Sequence, residues 1–151
     1  MEYKRVADSY TEQIQILTQS NLNGSNRLFG GQLLAWIDIV AAATARRHSN
    51  RNVTTVCVSE LVFKAPAYAN DTILLCGHIV YAGRTSMDIC VKTYVENLDG
   101  TRHEINTAYV TMVAIGEDER PVPVPGLILE TADEKREWDA AQARRDARKT
   151  R

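Results

Sequence analysis

Gly30-Gly31-Gln32-Leu33-Leu34-Ala35-Trp36-Ile37-Asp38-Ile39-Val40-Ala41-Ala42-Ala43-Thr44-Ala45-Arg46-Arg47-His48 is the stretch on which the fold turns. Leu33, Leu34, Ile37, Val40, Ala41 and Thr44 recur at steps of three and four residues, the period of an amphipathic helix. The spacing predicts a helix from about Gly31 to His48, ending in three cations suited to a helix C-terminus. Ala41, Ala42, Ala43 and Ala45 let another backbone come close, so this helix is expected to be deeply packed.

On its N-terminal side, Tyr10 to Thr18 sets Glu12, Ile14 and Ile16 at period two, a short first strand, and Gln19 to Arg27 is a polar loop. On its C-terminal side come four segments of β texture. Val53 to Lys64 ends before Pro66, and Thr72 to Tyr81 leads into a tight connection at Ala82-Gly83-Arg84. Met87, Ile89, Val91, Thr93 and Val95 then alternate with polar residues, Asn97 to Gly100 is a hairpin signal, and Glu104 to Ile115 is the last strand.

A strand, one apolar helix and four strands with no helix between them is an α+β order, and it excludes a doubly wound parallel sheet. An antiparallel sheet of about five strands curled around one long central helix would bury that helix on nearly every side. Pro121, Pro123 and Pro125 are predicted to forbid regular pairing and form an extended exit. Thr131 to Arg148 reads as a charged surface helix touching the body at few points, with Leu127, Leu129 and Trp138 the only large apolar residues nearby. The expected organisation is a domain over residues 1–127 and a charged helical extension over 128–151.

The 151 residues suit one domain, with 44% apolar and 25% charged residues. Eighteen basic against nineteen acidic residues give a net charge of −1, so no basic field argues for nucleic acid. Met1 to Asp8 holds no apolar run and no stretch is apolar enough to span a bilayer, so a cytoplasmic protein without membrane insertion is expected. Cys57, Cys76 and Cys90 are odd in number, far apart and set in apolar segments, where cysteine acts as a small hydrophobe. No Cys-x-x-Cys or His-Cys spacing exists, and no metal site is expected. His48, His78 and His103 are isolated and read as structural, and the sequons at Asn23, Asn52 and Asn70 as inert.

Asp38 is the most informative residue, since it stands beside Ile37 and Ala41 at the margin of the apolar stripe. Burying a carboxylate costs several kcal/mol without partners, and helix interiors disfavour Asp. An Asp on the solvated flank is the plainer alternative. Gly30-Gly31 opens the helix, where free N–H groups and the positive dipole end can meet an oxyanion. A glycine pair also serves turn geometry alone. Gly31 and Asp38 are seven residues apart, nearly two turns, so both face one side of the helix.

Asn23-Gly24-Ser25-Asn26-Arg27-Leu28-Phe29-Gly30-Gly31 through Asp38 resembles the Asn…Phe-Gly-Gly…Asp block of bacterial acyl-CoA hydrolases with the hotdog fold. Phe63-Lys64-Ala65-Pro66 with Asp71, Tyr81 to Met87, Glu96-Asn97-Leu98 and Pro121-Val122-Pro123 extend the resemblance over roughly residues 10 to 127. Asn26 departs from it, since relatives often carry glycine near that point.

The resemblance implies an acyl-CoA thioesterase with Asp38 as general base on water or, less in keeping, as nucleophile. Asn23 would position thioester or water, and the Gly31 and Gly30 amides would polarise the carbonyl. Gly83, Arg84, Thr85 and Ser86 would meet the CoA phosphates, a task a guanidinium suits, with Phe29 and Lys64 further substrate contacts. It implies no cofactor beyond the CoA of the substrate, and sites formed between subunits, so that Asn23 and Asp38 can come from different chains. A dimer is the minimum, and three dimers commonly make a hexamer. An acyl-CoA sensor of the same fold and a dehydratase are the alternatives; the first lacks a visible DNA-binding segment, and the second calls for a His nearer the helix start than His48.

Overall fold

The computed structural model describes residues 2–149. Its core is a five-stranded antiparallel sheet around one helix, as expected. The strands are β2 (Thr11–Ile16), β3 (Asn52–Phe63), β4 (Thr72–Ala82), β5 (Ser86–Glu96) and β6 (Arg102–Ile115), in spatial order β2-β4-β5-β6-β3. The central helix α1 spans Gly30–Ser49, a residue longer at each end than the periodicity predicts. It ends at Asn50 in the left-handed conformation, with the Asn50 amide bonded to the Arg46 carbonyl.

Leu33, Ile37, Val40, Ala41, Thr44 and Ala45 of α1 are buried against the concave sheet face, where Ile73, Leu75, Ile79, Ile89, Val91, Val110 and Met112 lie. Each fully buried Leu, Ile or Val here contributes roughly 1.5–3 kcal/mol. The close approach foreseen from the alanines is completed from the sheet: a Cβ on Gly77 would stand 2.7 Å from Val40 Cγ1 and 2.8 Å from Thr44 Oγ1. Glycine at this β4 position lets the helix settle onto the strand.

Ile14 and Ile16, whose period-two spacing predicted strand β2, are 61% and 62% exposed on the outer face of that edge strand. The proline-rich exit is more ordered than the prolines suggest. The non-proline residues between them donate, Val122 N to Ala114 O at 2.9 Å and Val124 N to Arg84 O at 2.9 Å. Because Pro lacks an N–H, only alternate residues need acceptors here. The chain then enters β7 (Gly126–Ile128), which pairs in parallel with β1 (Tyr3–Arg5), a small second sheet that the N-terminal composition hides.

The C-terminal helix α2 (Ala132–Lys149) is capped by Thr131, whose hydroxyl accepts the Glu134 amide at 3.0 Å. The expectation of few contacts is corrected. Trp138 stacks on Tyr81 with ring centroids 4.2 Å apart, Ala141 is fully buried, and the Arg144 guanidinium sits 3.7 Å above the Tyr109 ring. Arg145 forks onto buried Asp88 at 2.9 and 3.1 Å. Polar and cationic side chains, read as solvated from sequence, carry most of the docking onto the outer sheet face.

Candidate active site

Asp38 is half-buried on α1, and its Oδ1 accepts a 2.7 Å hydrogen bond from the Thr55 hydroxyl of β3. Thr55 also lies 3.6 Å from Met112 Sδ, with which it is paired in the β3–β6 ladder. Sequence reasoning missed Thr55. Its only signal was a hydroxyl in a β-branched strand, ordinary until the fold brings it under the helix.

Gly30 and Gly31 form the first turn of α1. The first helical hydrogen bond runs from Leu33 N to Phe29 O at 3.1 Å, and no side chain caps the helix. The amides of Gly30, Gly31 and Gln32 therefore precede the helical ladder and point outward at its positive end. The Phe29 ring is 55% exposed and packs over Gly31; Phe63, 52% exposed, lies beside Gly30.

Asn23 lies in the loop before α1. Its Oδ1 accepts from the Ser25 and Arg27 amides at 2.9 and 3.2 Å, which leaves the carboxamide NH2 as its outward donor. Asn23 lines a cavity of about 330 Å³ together with Leu28, Leu33, Phe63, Lys64 and Pro66. Lys64 pairs with Glu104 and donates to Thr107 at 3.2 Å. Burial pushes the Glu104 carboxyl up, but the Lys64 and Thr107 bonds outweigh it and hold the group below its usual range.

Gly83 to Ser86 make the β4–β5 turn, closed by a 2.8 Å bond from Gly83 N to Ser86 O. Arg84 is exposed and has no ion-pair partner among the described residues. The Thr85 carbonyl receives the Ala114 amide at 3.0 Å, which fixes the turn against the end of β6.

These residues fall into two groups within one chain. Thr55 opposes Met112 and Ser86 opposes Val113, so Asp38, Thr55 and the Gly83–Ser86 turn share one end of β6. Phe63 opposes Asn106, which puts Asn23, Phe29, Gly30, Gly31, Phe63 and Lys64 toward the other end. Six residues of strand separate the two registers, roughly 20 Å at 3.4 Å per residue. Along α1, Gly31 and Asp38 are about 10 Å apart. No single chain brings the carboxylate, the helix-end amides and Asn23 onto one carbonyl group.

The thioesterase superfamily description matches residues 25–116. The uncharacterized acyl-CoA thioester hydrolase YkhA of Bacillus subtilis is 35% identical over 130 residues, 85% of this chain and 76% of its own. Among solved structures, an apo hexameric acyl-CoA thioesterase is 36% identical, with TM-score 0.95 over 99% of this chain and 97% of that one. An acyl-CoA hydrolase from Staphylococcus aureus, in complex with butyryl coenzyme A, coenzyme A and coenzyme A disulfide, is 28% identical, with TM-score 0.92 over 98% and 91%. Variants of that enzyme with an asparagine, an aspartate or a threonine changed to alanine have also been solved, at positions 15 and 17 residues apart in that order. Among the described residues of this chain, no helix is long and apolar enough to cross a membrane. By family match, sequence and fold, the chain belongs to the thioesterase superfamily, among its acyl-CoA thioester hydrolases of the hotdog fold.

Proposed function

We propose that this acyl-CoA thioester hydrolase works at sites built between two copies of the chain, Asp38 of one copy facing Asn23 and the Gly31 amide of the other. The single observation that carries the proposal is the division of the site residues between opposite ends of β3. That strand is one of the two edges of the five-stranded sheet, and Val56, Val58, Val62 and Phe63 are exposed along it. Edge strands with apolar side chains invite pairing. Antiparallel pairing about a two-fold axis sets each end against the opposite end of the partner. Two complete sites result from one interface, and the dimer is the smallest working unit. A trimer of dimers fits the hexameric relative, and Ile14 and Ile16 on the far edge are available for the further contacts.

The chemistry follows from the groups so joined. Thr55 holds Asp38 Oδ1, which leaves Oδ2 to take a proton from water. The oxygen of that water attacks the thioester carbonyl, and the developing oxyanion is met by the Gly31 amide, with the Gly30 amide beside it. The C–S bond then breaks, and the CoA thiolate leaves and takes up a proton. General-base help is worth roughly 10²–10⁴-fold, and one oxyanion donor about 10²–10³-fold. Water is the only co-reactant that the balance requires, so the proposal includes no cofactor. Asn23, Asp38 and Thr55 repeat the 15- and 17-residue separations seen among the Staphylococcus aureus variants. Arg84, unpaired and on a fixed turn, suits the CoA phosphates, while Phe29 and Phe63 offer an apolar wall; Lys64, already tied to Glu104, is the weaker anion contact. An acyl-CoA sensor would have no use for a carboxylate held in this way.

Subunit mixing tests the shared site. Asn23→Ala and Asp38→Ala homomers are each expected to turn over acyl-CoA at least about 100-fold more slowly. A heterodimer carrying one of each has one intact site and one doubly altered site, so about half of the parental turnover should return. Mixed assemblies as slow as the homomers would exclude the shared site.

A further inference from the structure

We infer that His78, Cys90 and Glu137 form a binding site for a divalent transition-metal ion of the zinc class, on the outer sheet face under α2. A ring nitrogen of His78, Sγ of Cys90 and a carboxylate oxygen of Glu137 all lie within 4.8 Å of one another. An ion with tetrahedral bonds of about 2.0–2.3 Å holds its ligand atoms roughly 3.3–3.8 Å apart, so small side-chain adjustments suffice. His78 and Cys90 are direct cross-strand partners in the β4–β5 ladder, and two of the three ligands are thereby placed by rigid sheet. Glu137 comes from α2 and already reaches His78 Nε2 at 2.6 Å.

The donor set selects the ion. Sulfur, imidazole nitrogen and one carboxylate suit zinc or cobalt, whereas magnesium and calcium prefer all-oxygen shells. On binding, the Cys90 thiol proton passes to solvent, and thiolate and carboxylate then offset the 2+ charge. Burial and the neighbouring Glu137 carboxylate push the Cys90 thiol up to about 12, against smaller opposing pulls from Lys92 and the Arg144 guanidinium over Tyr109, so it is the charge of the incoming ion that displaces the proton. Access is from the sheet side. A cavity of about 380 Å³, lined by Tyr10, Cys76, His78, Lys92, Tyr94 and Arg102, opens beside His78.

The ion would join α2 to the sheet, on the face opposite the helix α1 that carries Asp38. It is thus independent of thioester hydrolysis. The expectation of no metal site followed from spacing along the chain. Here the three ligands are 12 and 47 residues apart and meet only through the hairpin and the packing of α2.

The test is anaerobic titration of the full-length, chelator-treated protein with cobalt(II) chloride. The expected result is a sulfur-to-cobalt charge-transfer band saturating at one equivalent per chain. Cys90→Ser should abolish it, Cys57→Ser and Cys76→Ser should leave it, and His78→Gln and Glu137→Gln should weaken binding at least about tenfold. Turnover of acyl-CoA near the parental rate identifies the variants that remain folded. No band at millimolar cobalt, a band that survives Cys90→Ser, or unchanged affinity in both glutamine variants would overturn the assignment. The two glutamine variants keep Cys90, so they decide the matter even if Cys90→Ser fails to fold.

Discussion

The Thr55 hydroxyl donates to Asp38 Oδ1 at 2.7 Å, and this bond ties the edge strand β3 to the middle of the central helix. It orients one carboxylate oxygen and leaves the other for solvent. A hydrogen bond to a charged group is worth about 1.5–3 kcal/mol, equivalent to a factor of about 10 to 100. Thr55→Ala should therefore lower kcat by about that factor with little change in KM, and Thr55→Ser should restore most of it. A Thr55→Ala enzyme with parental kcat would show that the carboxylate needs no such grip.

Arg145 and Asp88 offer a test of how α2 is held. Asp88 is 3% exposed and bonded by the Arg145 fork and by Thr111 Oγ1 at 2.6 Å. Removing one partner of a buried pair costs about 3–5 kcal/mol, because the other charge is stranded. Since Thr111 remains, Arg145→Ala should lie near the lower end, about 3 kcal/mol, in urea unfolding at fixed protein concentration. Acyl-CoA turnover below the transition should persist. A loss under about 0.5 kcal/mol, the scale of ordinary surface changes, would mean that the fork contributes little.

His48 predicts an acid limb in stability. Its ring is fully buried, with Nε2–H donating to the Pro125 carbonyl at 2.8 Å and Nδ1 without a partner among the described residues. Burial lowers its pKa from the ordinary value, more than the Pro125 carbonyl raises it. On acidification the unfolded chain is thus protonated first. The contribution of the neutral ring is complete above about pH 6.5 and is lost as pH falls below that value, by up to about 1.4 kcal/mol per pH unit. The melting temperature should fall between about pH 7 and pH 5.5, before most carboxylates titrate. His48→Gln should flatten that interval, and an equal slope in the variant would remove His48 as the cause.

Gly77 should tolerate no side chain. An alanine Cβ would sit 2.7 Å from Val40 Cγ1 and 2.8 Å from Thr44 Oγ1, both fixed in the core. Gly77→Ala is expected to cost about 1–3 kcal/mol, with Gly77→Val worse. A neutral Gly77→Ala measured by chemical denaturation would mean that α1 can lift from β4.

Much of this architecture was legible because its determinants are local. The three- and four-residue steps of Leu33, Ile37 and Val40 and the alternation of Met87 to Val95 name a helix and a strand unaided. Asp38 stood out as a charge beside an apolar stripe, and the Phe29-Gly30-Gly31 start marked the open helix end. What stayed hidden depends on partners distant in sequence. Thr55 matters only because α1 lies over it, and β1 is a strand only because Gly126–Ile128 arrives beside it. A Cβ at Gly126 would run into the Tyr3 ring, a constraint that three residues of N-terminal sequence cannot express. The polar docking of α2 was equally silent, since Glu137, Arg144 and Arg145 look like solvent-facing charges until the outer sheet face supplies Asp88, His78 and Tyr109.

The most direct measurement is the turnover number of Asp38→Asn on a saturating acyl-CoA, followed by trapping the released thiol, on protein shown to keep the parental oligomer and melting temperature. Asn keeps the shape and can still accept the Thr55 hydrogen bond, yet it cannot take a proton from water. A turnover number at least about 100-fold below the parent is the expected result. A value within a few-fold of the parent would contradict the role given to this carboxylate and, with it, the mechanism.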